Sequence, residues 1–268
     1  MISQASLLPA LRRLHRSVAA WLGTWWRLFH FSVLIIATAL TPSSYDRRHR
    51  PALARHLVAG TAPNLLWFTV LSALVSLVLI RIVVVTALSY GLSRFALEMV
   101  VRVLVLELIP LTAALFVALR STLPAGFEFA LQRGADGALP AATVSSAALL
   151  RGEFFPRVAA GMFAVWLLAA VSCVLALVLA YLSLYGFTPW ALQGYTRVVG
   201  QVFDPSVVLI LAMKVIFFSI AVGLIPMASS YFDGGAGRLR ATHGLSDMLR
   251  LFSVILLIEV ASLMGNYY

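Results

Sequence analysis

Cysteine occurs once and lysine once in 268 residues, and aspartate and glutamate together only ten times. Each scarcity excludes something. The lone Cys173 lies inside an apolar run. It rules out an internal disulfide and any cysteine-based metal site, and it reads as a small buried apolar residue. The lone Lys214 follows Leu209-Ile210-Leu211-Ala212-Met213. A phosphate-binding P-loop needs glycines whose backbone amides cradle phosphate ahead of its lysine, so that motif is absent. Charged residues of both signs make up 11% of the chain, whereas hydrophobic ones make up 62%. Soluble domains carry about 25% charged residues. Too little polar surface exists here to cover the apolar volume in water, and disorder is excluded for the same reason.

What is present is long apolar runs. Five of them, at roughly residues 65–89, 99–119, 158–185, 207–227 and 248–264, reach the ~20 helical residues that cross a bilayer. They are continuous rather than alternating, so the spans are helices and not barrel strands. A sixth run at 28–40 is short. It follows a basic amphipathic stretch, Leu7 to Trp26, with Arg12, Arg13 and Arg16 beside leucines and Trp21, Trp25 and Trp26 close behind. That pattern predicts a helix lying in the membrane interface, interfacial or re-entrant rather than spanning. The fold class is therefore an all-α membrane protein, with an N-terminal interfacial region over residues 1–60 and a five-helix membrane domain over 61–268.

The 20 basic residues against ten acidic ones give a formal charge of +10. In a soluble chain this excess would suggest nucleic acid; here the arginines sit between apolar runs and set orientation. If 28–40 does not cross, the clusters Arg12–Arg16 and Arg47–Arg55 share the cytoplasmic side. The loops at 120–157 (Arg120, Arg133, Arg151, Arg157) and 231–250 (Arg238, Arg240, Arg250) are then inside. The loops with Arg94 and Arg197, and the uncharged end at 265–268, are outside. A cleaved signal peptide ending at Ala37-Thr38-Ala39 is the competing reading; it needs an unusually long charged leader and an arginine-rich mature start.

No catalytic constellation emerges. The five histidines lack metal-ligand spacing with cysteine or paired carboxylates, and no nucleophile elbow is present. An enzyme is not expected, nor a metal or cofactor, and energy for uphill transport must come from a partner or an ion gradient. The informative residues are charges inside the apolar runs, which are costly in hydrocarbon and tend to face protein or a wet cavity. They are Arg81, Arg102, Glu107, Lys214 and Glu259. Lys214 lies about 20 Å and Glu259 about 17 Å along consecutive antiparallel helices, which predicts a buried ion pair. Arg81 at about 24 Å and Glu107 at about 18 Å suggest a second pair. Glu98 and Arg102 are i,i+4 neighbours. These pairs either lock helices together or line a substrate cavity. Pro110, three residues after Glu107, removes a backbone hydrogen bond in mid-membrane and marks a pathway or hinge.

The order of several short motifs resembles a known family. Leu106-Glu107-Leu108-Ile109-Pro110-Leu111-Thr112-Ala113-Ala114-Leu115 is similar to the R-E-L-G-P-V-L-T-A-L signature of MlaE/YrbE-type permeases, the membrane subunits of MCE-associated ABC lipid transporters. Val117-Ala118-Leu119-Arg120 resembles the family's V-A-G-R, and Glu128 falls where it has A-E-L-G. The start of the next helix, 155–162, resembles P-R-V-L-A-G-M. Lys214 falls on the K-S-L-V-F-G lysine, Gly234-Gly235-Ala236-Gly237 resembles G-G-A-E-G, and Glu259 sits at a late Asp. The resemblance runs from about Arg47 to the C-terminus.

It implies a homodimeric permease, or one half of a heterodimer, in the inner membrane of a double-membraned bacterium. Its partners would be a cytoplasmic ABC ATPase that binds the ATP and a periplasmic MCE-domain protein, and its cargo phospholipid held in an intersubunit cavity. Candidate cavity residues are Arg81, Arg102, Glu107, Pro110 and Glu128. The family's coupling helix, E-Q-I-D-A-L, falls at Arg133, Asp136, Gly137 and Leu139, within a segment that here reads Gly134-Ala135-Asp136-Gly137-Ala138-Leu139-Pro140. Gly137 and Pro140 weaken a helix there. An ion-coupled secondary transporter using Glu107 or Glu259 as proton carrier, and a non-transporting scaffold for an MCE protein, are the alternatives.

Overall fold

A computed structural model describes residues 4–42, 50–92, 95–135, 149–232 and 240–267 of the chain. Among these residues every regular element is helical. A bilayer has no water to satisfy backbone N–H and C=O groups, so continuous apolar segments close their hydrogen bonds within themselves. Helix α1 is Gln4–Leu40, α2 is Arg50–Ser89, and α3 covers residues 96–135 with changes of winding described below. Helix α4 covers residues 150–185, α5 is the short Leu192–Val202, α6 is Pro205–Phe232, and α7 is Arg240–Tyr267.

Six of these helices contain a stretch long and apolar enough to cross a membrane. Five contain the runs expected from sequence. The sixth is Leu22–Leu40 within α1. The amphipathic stretch and the short apolar run, read separately from sequence, are thus one continuous helix. No glycine–proline break separates them, and Gly23 has open space around it.

Helices α2, α3, α4, α6 and α7 run alternately up and down. One end of the bundle is arginine-rich, with Arg55, Arg120, Arg151, Arg157 and Arg250; the opposite end gathers Tyr181, Tyr185 and Tyr195. The core is stacked in three layers between these ends. At the arginine-rich end, Phe154 is fully buried and meets Phe31, Phe129 and Tyr231 edge-on, at ring-centroid distances of 5.7, 5.0 and 5.3 Å. In the middle, the small residues Ala113, Ala114 and Ala164 let helices approach around Leu168, Phe218 and Ile255. At the far end, Val101, Val105, Ala176 and Ala180 pack with Ile80 and Tyr195.

Two local features position these layers. Gly186 ends α4 with φ +64°, a left-handed conformation that favours glycine, and its N–H caps Leu182 O at 3.0 Å. Gly126 of α3 lies so close to α6 that a β-carbon there would stand 2.8 Å from the Pro226 carbonyl oxygen. Beyond Gly186, α5 is amphipathic: Tyr195 and Val202 face inward, and the Tyr195 hydroxyl donates to Leu177 O at 2.8 Å. Burial, reinforced by neighbouring Tyr185, pushes the Tyr195 phenol up to about 12.

Helix α1 packs on the arginine-rich layer. Its Phe31 and Ile35 are buried with Phe154, Leu224 and Met227, residues near the start of α4 and the end of α6. The outward faces of α2, by contrast, expose Leu66, Trp67, Val70, Leu74, Val78 and Ile82, as a lipid-facing surface does.

Candidate functional site

The site begins with a change of winding in α3. Its first turn, Ala96–Val100, is α-helical; Val101–Leu108 winds as a π-helix; Ile109–Val117 returns to α; Ala118–Thr122 is π again before Leu123–Ala135. Pro110 sits in the first turn of the central α segment. It has no N–H. In an α ladder that N–H would serve the carbonyl of Leu106, four residues back, and in a π ladder that of Val105, five back. Both carbonyls receive side-chain donors from other helices. Lys214 Nζ of α6 donates to Leu106 O at 3.3 Å, and Cys173 Sγ of α4 donates to Val105 O at 3.6 Å. Backbone groups in a dry interior need such partners.

Lys214 is 2% exposed and is the centre of the site. Its ammonium hydrogen-bonds the Glu107 carboxylate of α3 and lies 2.9 Å from Glu259 Oε2 of α7. With Leu106 O, that puts three oxygens from two helices around the ammonium. The Phe218 ring, one turn along α6, stands 5.9 Å from Nζ. The contact with Glu259 is an ion pair by distance, but no well-directed hydrogen bond reaches Glu259 Oε2. Ser262, one turn further along α7, has a buried hydroxyl without a hydrogen-bond partner. Three charges from three helices therefore converge where the sequence predicts mid-membrane depth.

The expected Lys214–Glu259 pair is present. The expected Arg81–Glu107 pair is not: Glu107 turns to Lys214, and Arg81 is exposed on α2. Matching depth along two helices does not fix their rotation, and Glu107 faces α6 rather than α2. Arg102 bonds Glu98 through Nε at 3.1 Å, the local i,i+4 pair expected. Pro110 is buried beside the centre, while Glu128 is exposed toward the arginine-rich end. Arg133 lies in the last turns of α3, and Asp136, Gly137 and Leu139 lie outside the described residues.

Sequence reasoning missed that one lysine serves both glutamates, and missed Cys173 as a donor. The available signal was Pro110 itself, whose missing N–H frees carbonyls that some donor must reach. At the arginine-rich end, Arg157 lies over the Phe129 ring at 4.2 Å and donates to Glu153 O at 2.9 Å. Among the described residues, no group of three or more His, Cys, Asp or Glu is placed to hold a metal.

A permease family model, described as Permease MlaE, matches residues 53–264, which include most of α2, most of α7 and all three charges of the buried centre. No curated protein matches the chain.

Proposed function

Since the chain belongs to the MlaE permease family, a family of membrane transport subunits, we propose that it is the lipid-handling permease of an ABC-type transporter. In this reading a cytoplasmic ATPase binds ATP, a periplasmic MCE-domain protein exchanges lipid with the permease, and the assembly sits in a bacterial inner membrane. Two copies, or this chain and a second permease, enclose the lipid. The segment around Arg133, Asp136, Gly137 and Leu139 faces the ATPase.

The observation that carries the reading is Arg81. It stands exposed on α2 among the exposed apolar side chains of Val78, Ile82 and Val85. Among the described residues it makes no ion pair. A guanidinium on an apolar wall at membrane depth is expensive unless an anion or water meets it. An anionic phospholipid headgroup supplies that anion while its acyl chains lie along the same wall. Arg102, paired with Glu98 and half-exposed, offers a second cation toward the same end of the bundle.

Helix α1 fits an interfacial role. Residue 31, near the middle of its apolar stretch, packs against the ends of α4 and α6 rather than their midpoints. That contact, at the level of the arginine-rich end, supports an interfacial helix.

The test is fluorescent-phospholipid transfer from proteoliposomes containing the permease with its ATPase. Transfer that requires ATP and falls at least severalfold in Arg81→Ala supports the proposal. Undiminished transfer in Arg81→Ala and Arg102→Ala refutes the headgroup role. Transport that survives without ATP and collapses with an uncoupler points instead to an ion-coupled carrier.

A further inference from the structure

The buried centre does not balance. Fully ionised, Glu107 and Glu259 carry two negative charges against the single positive charge of Lys214. Among the described residues, the other charged side chains of the neighbouring helices lie elsewhere. Lys214 is the only charged residue of α6, and beyond Arg250 the only charged residue of α7 is Glu259. Arg250 is bonded to Asp247 at the arginine-rich end. On α3, Arg102 is bonded to Glu98, and Arg120 and Glu128 are exposed. On α4, Arg157 is paired with Glu153, and the Cys173 thiol faces Val105 O. On α2, Arg81 is exposed and His56 lies near the arginine-rich end; on α1, Arg27 and His30 are exposed.

The oxygens give the same count. An ionised carboxylate is an acceptor only, so two of them repel at hydrogen-bonding range. Glu107 and Glu259 are nevertheless drawn to one ammonium, each with an oxygen within ion-pair distance of Lys214 Nζ. Lys214 hydrogen-bonds Glu107 and Leu106 O and meets Glu259 Oε2 only as an ion pair, an oxygen that receives no hydrogen bond. One added proton makes one carboxyl a neutral donor and leaves a single carboxylate opposite the ammonium. We propose that the Glu107–Lys214–Glu259 centre is a proton-binding site that holds one proton on its carboxyl pair at neutral pH, leaving the centre electrically neutral. The proton is taken from water and shared by two helices, α3 and α7, so its presence ties them together through α6. This inference does not depend on what the permease carries.

Infrared spectroscopy of the full chain tests it directly. The protein is purified in dodecyl maltoside, which contributes no carbonyl, with and without [13C]glutamate labelling. At pH 7 we expect a carbonyl band of one protonated carboxylic acid, shifted by the glutamate label and by D2O. Glu107→Gln and Glu259→Gln each leave one carboxylate opposite one ammonium, and each should abolish the band. If either variant fails to fold, the labelled unmodified chain alone decides. Absence of a label-sensitive band at pH 7 overturns the proposal, as does a band that survives in either variant. A band present in choline buffer but lost in sodium buffer overturns it in favour of an inorganic cation.

Discussion

Gly126→Ala measures how tightly α3 and α6 are joined. The new β-carbon would lie 2.8 Å from Pro226 O, 3.1 Å from Pro226 Cβ and 3.2 Å from Pro226 C. None of these is the tip of a flexible side chain. The carbonyl is held further by Ser229 and Ser230, whose hydroxyls each donate to it at 3.1 Å. Relief therefore requires backbone movement, and overpacking of this kind costs about 1–3 kcal/mol. Against it stands the gain from replacing glycine in a helix, up to about 1 kcal/mol. Gly194→Ala in α5 isolates that gain, because a β-carbon there meets nothing within 4 Å. The difference between the two variants is the clash alone. It should separate their thermal midpoints by about 2–4 °C per kcal/mol for a chain of this size. Intrinsic tryptophan fluorescence of the detergent-solubilised protein reads those midpoints. Gly194→Ala should match or exceed the wild type, and Gly126→Ala should fall below it. A Gly126→Ala midpoint equal to or above that of Gly194→Ala would show that the two helices are not in the contact described.

Further expectations concern the buried centre, the aromatic layer and α5. Lys214→Met strands two carboxyls without their cation and should cost about 3–5 kcal/mol, seen as loss of monodisperse protein on size-exclusion chromatography; an unchanged profile would contradict the convergence of charges on Nζ. Phe154→Ala empties the hub of the arginine-rich layer and should cost about 3–5 kcal/mol, whereas exposed Phe187→Ala should be near neutral, both scored by thermal midpoint. Tyr195 ionises later in the fold than in the unfolded chain, so its contribution to stability is complete below pH 10 and is lost as pH rises through about 12. Tyr195→Phe should flatten the fall in stability over that window; an identical alkaline profile would exclude the phenol. A single cysteine added at Gly265 in a Cys173→Ser background should react with impermeant maleimide from the periplasmic side; labelling only from the cytoplasmic side would reverse the orientation read from the arginines.

Much of the fold was legible because hydrocarbon permits so few solutions. Continuous apolar runs at 65–89 and 158–185 can only close their own hydrogen bonds, and the structure has helices there. The Lys214–Glu259 pair was legible for a related reason: consecutive spans are antiparallel, so distance along one maps onto distance along the other. The same arithmetic failed for Arg81 and Glu107. Rise per residue predicts depth, but rotation depends on local winding, and the π turns of Val101–Leu108 change the angle per residue ahead of Glu107. Nothing in the side chains of that segment announces π geometry, apart from the proline that follows it. The continuity of α1 was hidden similarly, because composition changes near residue 28 while the backbone does not.

The two carbonyls that precede Pro110 reach further than the proline itself. Val105 O answers to Cys173 on α4, and Leu106 O to Lys214 on α6. Rewinding α3 at this point would take one acceptor from a thiol on one neighbour and one from an ammonium on the other at the same moment. The change of winding is thus a three-helix clasp: rewinding α3 alone would break its contacts to α4 and α6 together.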